Sequence, residues 1–209
     1  MSQIHVFVDN SNVIGCANLT AKAMEPGVPW FAFRIHFQNL FAHVVKGRNV
    51  GAGILAGSIP PGNEDLWTFA KNAGFDTSLL QKVEKDDGRF GEQGVDEVLH
   101  KLMLETILDN PTTDTLVVVT GDGERAEHGG GFYDQIVRAL KLGWSVELWS
   151  WKAGRNGKFE ALAKLQSKFS IHEFDTSYYN ITFVKAGTYY RHLTDGSLEY
   201  FELAGRDAV

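Results

Sequence analysis

The chain has one cysteine, Cys16, among its 209 residues. A lone thiol cannot close an internal disulfide or furnish a thiolate zinc site, so a disulfide scaffold and a zinc ribbon are excluded. The expected setting is reducing and intracellular, with the cytoplasm as its ordinary form. Long apolar runs are missing too. Ile4 to Val8 is interrupted by His5 and stopped by Asp9, which is too short for a signal-peptide core. Nothing approaches the roughly 20 apolar residues of a membrane span, so no membrane partner is expected. The stretch from Asp9 to Gly15 lacks the Gly-x-Gly-x-x-Gly backbone that lets a pyrophosphate approach closely, which disfavours a dinucleotide-binding enzyme. The formal net charge is −6, against a uniformly basic nucleic-acid coat. It leaves room for a local basic track or for an acidic site that works through a metal ion. The seven histidines show no metal-ligand spacing, and the chain has no internal repeat and no low-complexity segment.

Ordinary globular material remains, with 44% hydrophobic and 22% charged residues. That suits one α/β domain with an appendage. Ile4 to Val8 reads as a buried strand, with Asp9-Asn10-Ser11-Asn12 as its turn-forming stop. Helical spacing runs from Trp30 to Val45, a glycine-weakened strand from Asn49 to Ile59, and a helix from Glu64 to Ala73. Phe75 to Val83 is a further strand candidate, and Glu84 to Gln93 a polar loop. A long helix opens at Gly94-Val95-Asp96 and ends near Asn110-Pro111. Thr115 to Thr120 is the clearest buried strand, stopped by Gly121-Asp122-Gly123. A helix from Phe132 to Leu142, a strand from Trp144 to Trp151, a helix from Lys158 to Phe169 and a strand from Ser170 to Phe174 complete the alternation. Such alternation predicts a mainly parallel sheet covered on both faces. After Asp175 the pattern changes. Ile181 to Val184, Thr188 to His192 and Leu198 to Leu203 alternate around Asp195-Gly196, predicting a C-terminal β-hairpin extension. The expected division is 1–177 for the main domain and 178–209 for the extension.

In a parallel sheet with right-handed crossovers, residues just after the strands gather on one rim. Asp9 and Asp122 are two strand-end carboxylates on that rim, and Asp96 reaches it from a helix start. Carboxylates brought together repel unless a divalent cation neutralises them, and oxygen donors of this kind suit Mg²⁺ or Mn²⁺. Each aspartate alone reads more readily as a helix cap or dipole partner than as a catalytic group; the constellation carries the argument. Asn10, Asn12 and Glu124 add oxygens nearby.

Val6-Phe7-Val8-Asp9-Asn10-Ser11-Asn12, Gly94-Val95-Asp96 and Val117-Val118-Val119-Thr120-Gly121-Asp122-Gly123-Glu124 resemble the three signature blocks of NYN domains, the PIN-like ribonucleases. The likeness spans roughly residues 3 to 175. It implies a Rossmann-like, PIN-type α/β/α sandwich and an acidic, Mg²⁺- or Mn²⁺-dependent endoribonuclease site. Carried over, Asp9, Asp96 and Asp122 are its metal-site carboxylates and Asn12 a supporting polar residue. Two positions depart from the family pattern: Gln93 stands where many relatives have Lys, and Glu124 where many have Asp. Glu124 keeps a carboxylate on a longer arm and joins the candidate catalytic set.

The partner expected from this reading is RNA, single-stranded or flexible. The segment from Lys152 to Lys168 holds five basic residues against Glu160 alone, and Lys152, Arg155 and Lys158 follow a strand end, placing them beside the acidic rim as phosphate contacts. A solvated helix face is the competing reading. Trp149 and Trp151 read as core rather than base-stacking residues, with Tyr133 weighed alongside them. A homo-oligomer is an open possibility, because Tyr189, Tyr190, Tyr200 and Phe201 of an isolated hairpin would otherwise stand in water. Two other functions compete: a noncatalytic RNA-binding module of the same fold, and a phosphatase of the haloacid-dehalogenase type. The latter needs a second aspartate two residues after the first, where this chain has Ser11.

Overall fold

The computed structural model describes residues 3–57, 64–72, 74–77, 83–84, 90–91, 95–110, 114–123 and 131–209; of residues 64–67, 83, 84, 90, 91, 95 and 96 only the backbone is described. Five parallel strands form the central sheet: β1 (Ile4–Asp9), β3 (Val50–Ala56), β4 (Thr115–Val119), β5 (Ser145–Ser150) and β6 (Phe169–Glu173). Their spatial order is β3-β1-β4-β5-β6. Every residue of β1 is buried, as expected of a central strand covered on both faces. Side chains alternate between two cores. Val6, Val8, Val117, Val119, Trp149 and Trp151 point into one, under helices α1 (Asn10–Met24) and α2 (Phe37–Val45). Phe7, Leu116, Val118, Val146 and Leu148 point into the other, under α4 (Val95–Asp109), α5 (Phe132–Lys141) and α6 (Lys158–Leu165). Helix α3 (Glu64–Asn72) adds Ala70 to the first core. The fold is thus α/β, with helices on both sides of a parallel sheet.

The chain leaves β1 toward β3 on one side, then crosses back to β4 on the other. Adjacent crossovers diverge there and open a crevice at the carboxyl ends of β1 and β4, where open α/β sheets bind ligands.

Several boundaries differ from the sequence reading. Asp9-Asn10-Ser11-Asn12 is no turn but the cap and first turn of the fifteen-residue helix α1. The first half of the expected helix from Trp30 contains an extended piece, β2 (Phe33–Ile35), before α2 begins at Phe37. Strand β2 pairs antiparallel with β7 (Thr182–Val184), so residues 182–184 belong to the body and not to the extension. Tyr178 and Ile181, in the short helix α7 (Tyr178–Ile181), are core residues. The projecting unit is therefore narrower than 178–209: it is the hairpin of β8 (Gly187–His192) and β9 (Leu198–Leu203). Of the expected strand from Phe75 to Val83, Asp76 forms an isolated bridge to Ile54, and Val83–Glu84 pairs with Phe90–Gly91 inside the expected loop. Residues 78–82 and 85–89 lie outside the described residues.

The hairpin is held at its base. Val184 pairs with Arg206, and the Arg206 guanidinium donates to both oxygens of Glu25 at 2.9 Å. Among the described residues no helix is long and apolar enough to cross a membrane.

Candidate active site

Asp9 ends β1 and caps α1. Its backbone is extended (φ −88°, ψ 93°), and Oδ1 accepts from the Asn12 backbone N–H at 3.0 Å, satisfying one of the donors a helix start leaves open. The residue is only 8% exposed. Its other oxygen, Oδ2, accepts from the Thr120 hydroxyl at 3.0 Å. Thr120 follows β4 and is buried; the same hydroxyl accepts from the Asp122 backbone N–H at 3.1 Å. One side chain thus ties the first acidic strand end to the second, across the crevice between β1 and β4.

Asn12 makes the second link. Its Oδ1 accepts from the Gly121 N–H at 2.7 Å and, more weakly, from the Cys16 thiol at 3.5 Å. The glycines around Asp122 are there for close approach. A Cβ on Gly121 would lie 2.5 Å from the Gly154 carbonyl oxygen, and one on Gly123 would lie 2.7 Å from Asn156 Cβ. The Asn156 N–H donates to the Gly121 carbonyl at 3.0 Å. Asp122 therefore emerges, half-buried, between two buried glycines packed on the 154–156 turn.

The electrostatics agree with this placement. Burial pushes the Cys16 thiol up from its ordinary range, and the charges of Asp9 and Asp122 push it further the same way. One sulfur feels both carboxylates. Asn10, 1% exposed, packs where a Cβ on Gly57 would come within 2.9 Å of it. Its Oδ1 has no hydrogen-bond partner among the described residues. Two carboxylates and an orphaned amide oxygen on the residue following Asp9 are hard donors, a set that fits Mg²⁺ or Mn²⁺ rather than a soft metal.

Asp96 is the second residue of α4; its side chain is outside the described residues. One turn on, the His100 ring meets Phe132, the first residue of α5, edge-on at 4.4 Å. That contact sets the opening of α4 beside the opening of α5. Glu124 and Gln93 lie outside the described residues. Among the described residues no group of three or more His, Cys, Asp or Glu side chains is arranged to hold a metal ion, so the geometry brings together Asp9, Asn12 and Asp122.

The basic segment divides. Arg155 is a correction to the expected phosphate contacts: its side chain is 5% exposed and bonds Glu160 and Glu173, each at 2.7 Å. These pairs raise its pKa against the effect of burial. Its guanidinium is engaged in holding α6 to β6. Lys152 and Lys158 are exposed, and Lys158 Nζ donates to the Gly123 carbonyl at 3.3 Å, one residue from Asp122. Trp149 and Trp151 are buried core residues. Tyr133 is partly buried against Phe159.

Sequence reasoning missed Thr120, Cys16, Gly154 and Asn156. A threonine closing an apolar strand was the available sign for the first. The others became legible only with α1, whose helical spacing sets Cys16 one turn beyond Asn12.

No family model matches the chain, and no curated protein matches it. Among solved structures it is similar to the crystal structure of a protein of unknown function from Vibrio parahaemolyticus, with a TM-score of 0.56 and 17% identity, covering 83% of this chain and 94% of that one. At that identity the likeness is one of fold.

Proposed function

We propose that the chain is a metal-dependent endoribonuclease, a PIN-like enzyme of the NYN kind, that hydrolyses phosphodiester bonds in single-stranded RNA inside the cell. The observation that carries this reading is the pair Asp9 and Asp122, set on either side of the crevice between β1 and β4 and coupled through Thr120. A buried capping aspartate needs no second carboxylate beside it, and an RNA phosphate alone would be repelled by both.

Asp9 and Asp122, with Asp96 from the start of α4, are the residues that would hold Mg²⁺ or Mn²⁺, and Glu124 follows Asp122 directly. A bound ion of this class polarises a phosphoryl oxygen and lowers the pKa of a water. The chain's own groups do the rest. Thr120 and the Asn12 N–H hold the two Asp9 oxygens in place, and Asn12 Oδ1 fixes Gly121 so that Asp122 is presented to the crevice. Lys158, beside Gly123, offers a positive charge to the RNA backbone, and Lys152 extends that track.

Purified protein incubated with labelled unstructured RNA and Mn²⁺ should give internal cleavage that Asp9→Asn and Asp122→Asn each abolish, with unchanged circular dichroism. Cleavage persisting in both variants would overturn the assignment. Binding without cleavage by the unsubstituted chain, in Mg²⁺ and in Mn²⁺, would make it a noncatalytic RNA-binding module.

A further inference from the structure

The β8–β9 hairpin stands apart from the five-stranded central sheet. Among the described residues, β8 and β9 pair only with each other. Tyr190 and Tyr200, directly opposite in the register, are 56% and 65% exposed. A free two-stranded ribbon is marginal in water, and open edges invite pairing. We infer that β8 is an association edge for a second copy of this chain, forming a continuous antiparallel sheet β9-β8-β8-β9 about a two-fold axis at Tyr190.

The hydrogen-bond parity selects the register. The turn closes with Leu193 N–H on the Ser197 carbonyl at 2.8 Å and Gly196 N–H on the Leu193 carbonyl at 3.0 Å; Gly196 takes the positive φ (83°) this turn requires. Counting back from Leu193, antiparallel pairs alternate between bonded and non-bonded. Arg191 and Tyr189 therefore aim their backbone groups at β9, whereas His192, Tyr190 and Thr188 aim theirs outward. A two-fold axis through Tyr190 sets Tyr190 against its own copy and Thr188 against His192 of the second copy. Every outward N–H and C=O of these residues then finds a partner.

Charge selects β8 over β9. The β8 edge carries Arg191 and no acid; in this register Arg191 falls beside Tyr189 of the second copy. Arg191 already lies 6.0 Å from the Phe201 ring, so cation–π contact would extend across the new seam. The β9 edge carries Glu199 and Glu202; Glu199 already bonds Arg191, yet self-pairing there would gather four carboxylates against two guanidiniums. The hairpin is also held ready: Tyr189 packs on Phe31 at 5.4 Å between ring centres, and Arg206 anchors the base to Glu25. One strand edge per copy is small beside the roughly 1,600 Å² of a standard interface, so association should depend on concentration.

Sedimentation of the full chain across a dilution series up to about 1 mM should show the mass rise from 23.2 kDa toward twice that value. Tyr190→Pro removes an outward N–H the hairpin does not use, and should hold the chain monomeric with an unchanged melting curve. Tyr200→Pro should still dimerise. Should either proline variant misfold, cysteines give an independent reading. Under mild oxidation Tyr190→Cys should form an interchain disulfide, since directly opposed Cα atoms in a bonded pair lie about 5.5 Å apart, whereas Tyr200→Cys should not. A monomer at every concentration, or crosslinking of Tyr200→Cys in place of Tyr190→Cys, would overturn the inference. Neither outcome bears on the ribonuclease reading, which rests on Asp9 and Asp122 and uses no hairpin residue.

Discussion

Replacing Thr120 with Val keeps the shape of the side chain and removes its hydroxyl, the atom that joins the two acidic strand ends. The residue is 1% exposed, so no cavity and no change in apolar packing confuse the result. Two interactions go. A hydrogen bond to an ionised carboxylate contributes about 1.5–3 kcal/mol, and one from a backbone N–H to a neutral oxygen about 0.5–1.5 kcal/mol. The Asp122 end is half-buried and regains water, which leaves an expected loss of about 2–4 kcal/mol. For a chain of 209 residues the unfolding entropy near the midpoint is about 0.44 kcal/mol/K, so the melting temperature should fall by roughly 5–9 °C. Differential scanning calorimetry at neutral pH reads this directly. Thr120→Ser should recover most of the loss, because it keeps the hydroxyl. A Val variant that melts within about 1 °C of the unsubstituted protein, or a Ser variant as damaged as Val, would refute the linkage.

Three further outcomes follow from other contacts. Arg155→Met should lower stability by about 1–3 kcal/mol, short of a fully buried pair because both glutamates retain water; RNA binding should keep its salt dependence, whereas Lys158→Met should reduce the salt slope by roughly 0.7. An unchanged slope for Lys158→Met, or a reduced one for Arg155→Met, would contradict the division of roles. Gly154→Ala places a Cβ 1.9 Å from Cys16 Sγ and 2.8 Å from its Cβ, and should cost about 1–3 kcal/mol; adding Cys16→Ala should restore part of it, so additive losses in the double variant would exclude the contact. The hydrogen bond from Arg206 holds Glu25 below the usual carboxylate range. A depressed folded pKa contributes stability above the unfolded value that is lost as pH falls through the folded one. Acid melts of Glu25→Gln should accordingly show a shallower loss on that limb, and parallel curves would rule the pair out as a contributor.

The sheet was legible in the sequence because buried parallel strands are nearly continuous apolar runs, as in Leu116 to Val119. Helix α1 was hidden because the side chains that cap a helix also make turns: Asp9 and Asn12 offered both readings, and only the neighbouring strands decide between them. Strand β2 was absorbed into a helical pattern because three residues are too few to show their own period, and its partner β7 lies far along the chain. Asp9 and Asp122 stand out in the sequence as strand-end residues, and Asn12 only through the resemblance to the NYN blocks. Arg155 departs from the phosphate-contact reading because its nearness in sequence to the rim is real, while Glu160 and Glu173, which engage it, reach it from α6 and β6. Charge counts along a segment do not register a countercharge arriving from another strand.

Glu25 and Arg206 are 181 positions apart, a separation that matters during synthesis. At about 5–20 residues per second, roughly 9–36 s pass between the appearance of the acid and of the base that neutralises it. Over about a third of that interval β1 can pair with β3 while its other edge waits for Thr115–Val119. The nascent chain therefore carries an unpaired glutamate at the end of α1 and an open central strand, and both are closed only by segments made later. The body of the protein is assembled from the middle strand outward, and the contact that fastens Arg206 to the end of the first helix waits until the chain has been made through that residue.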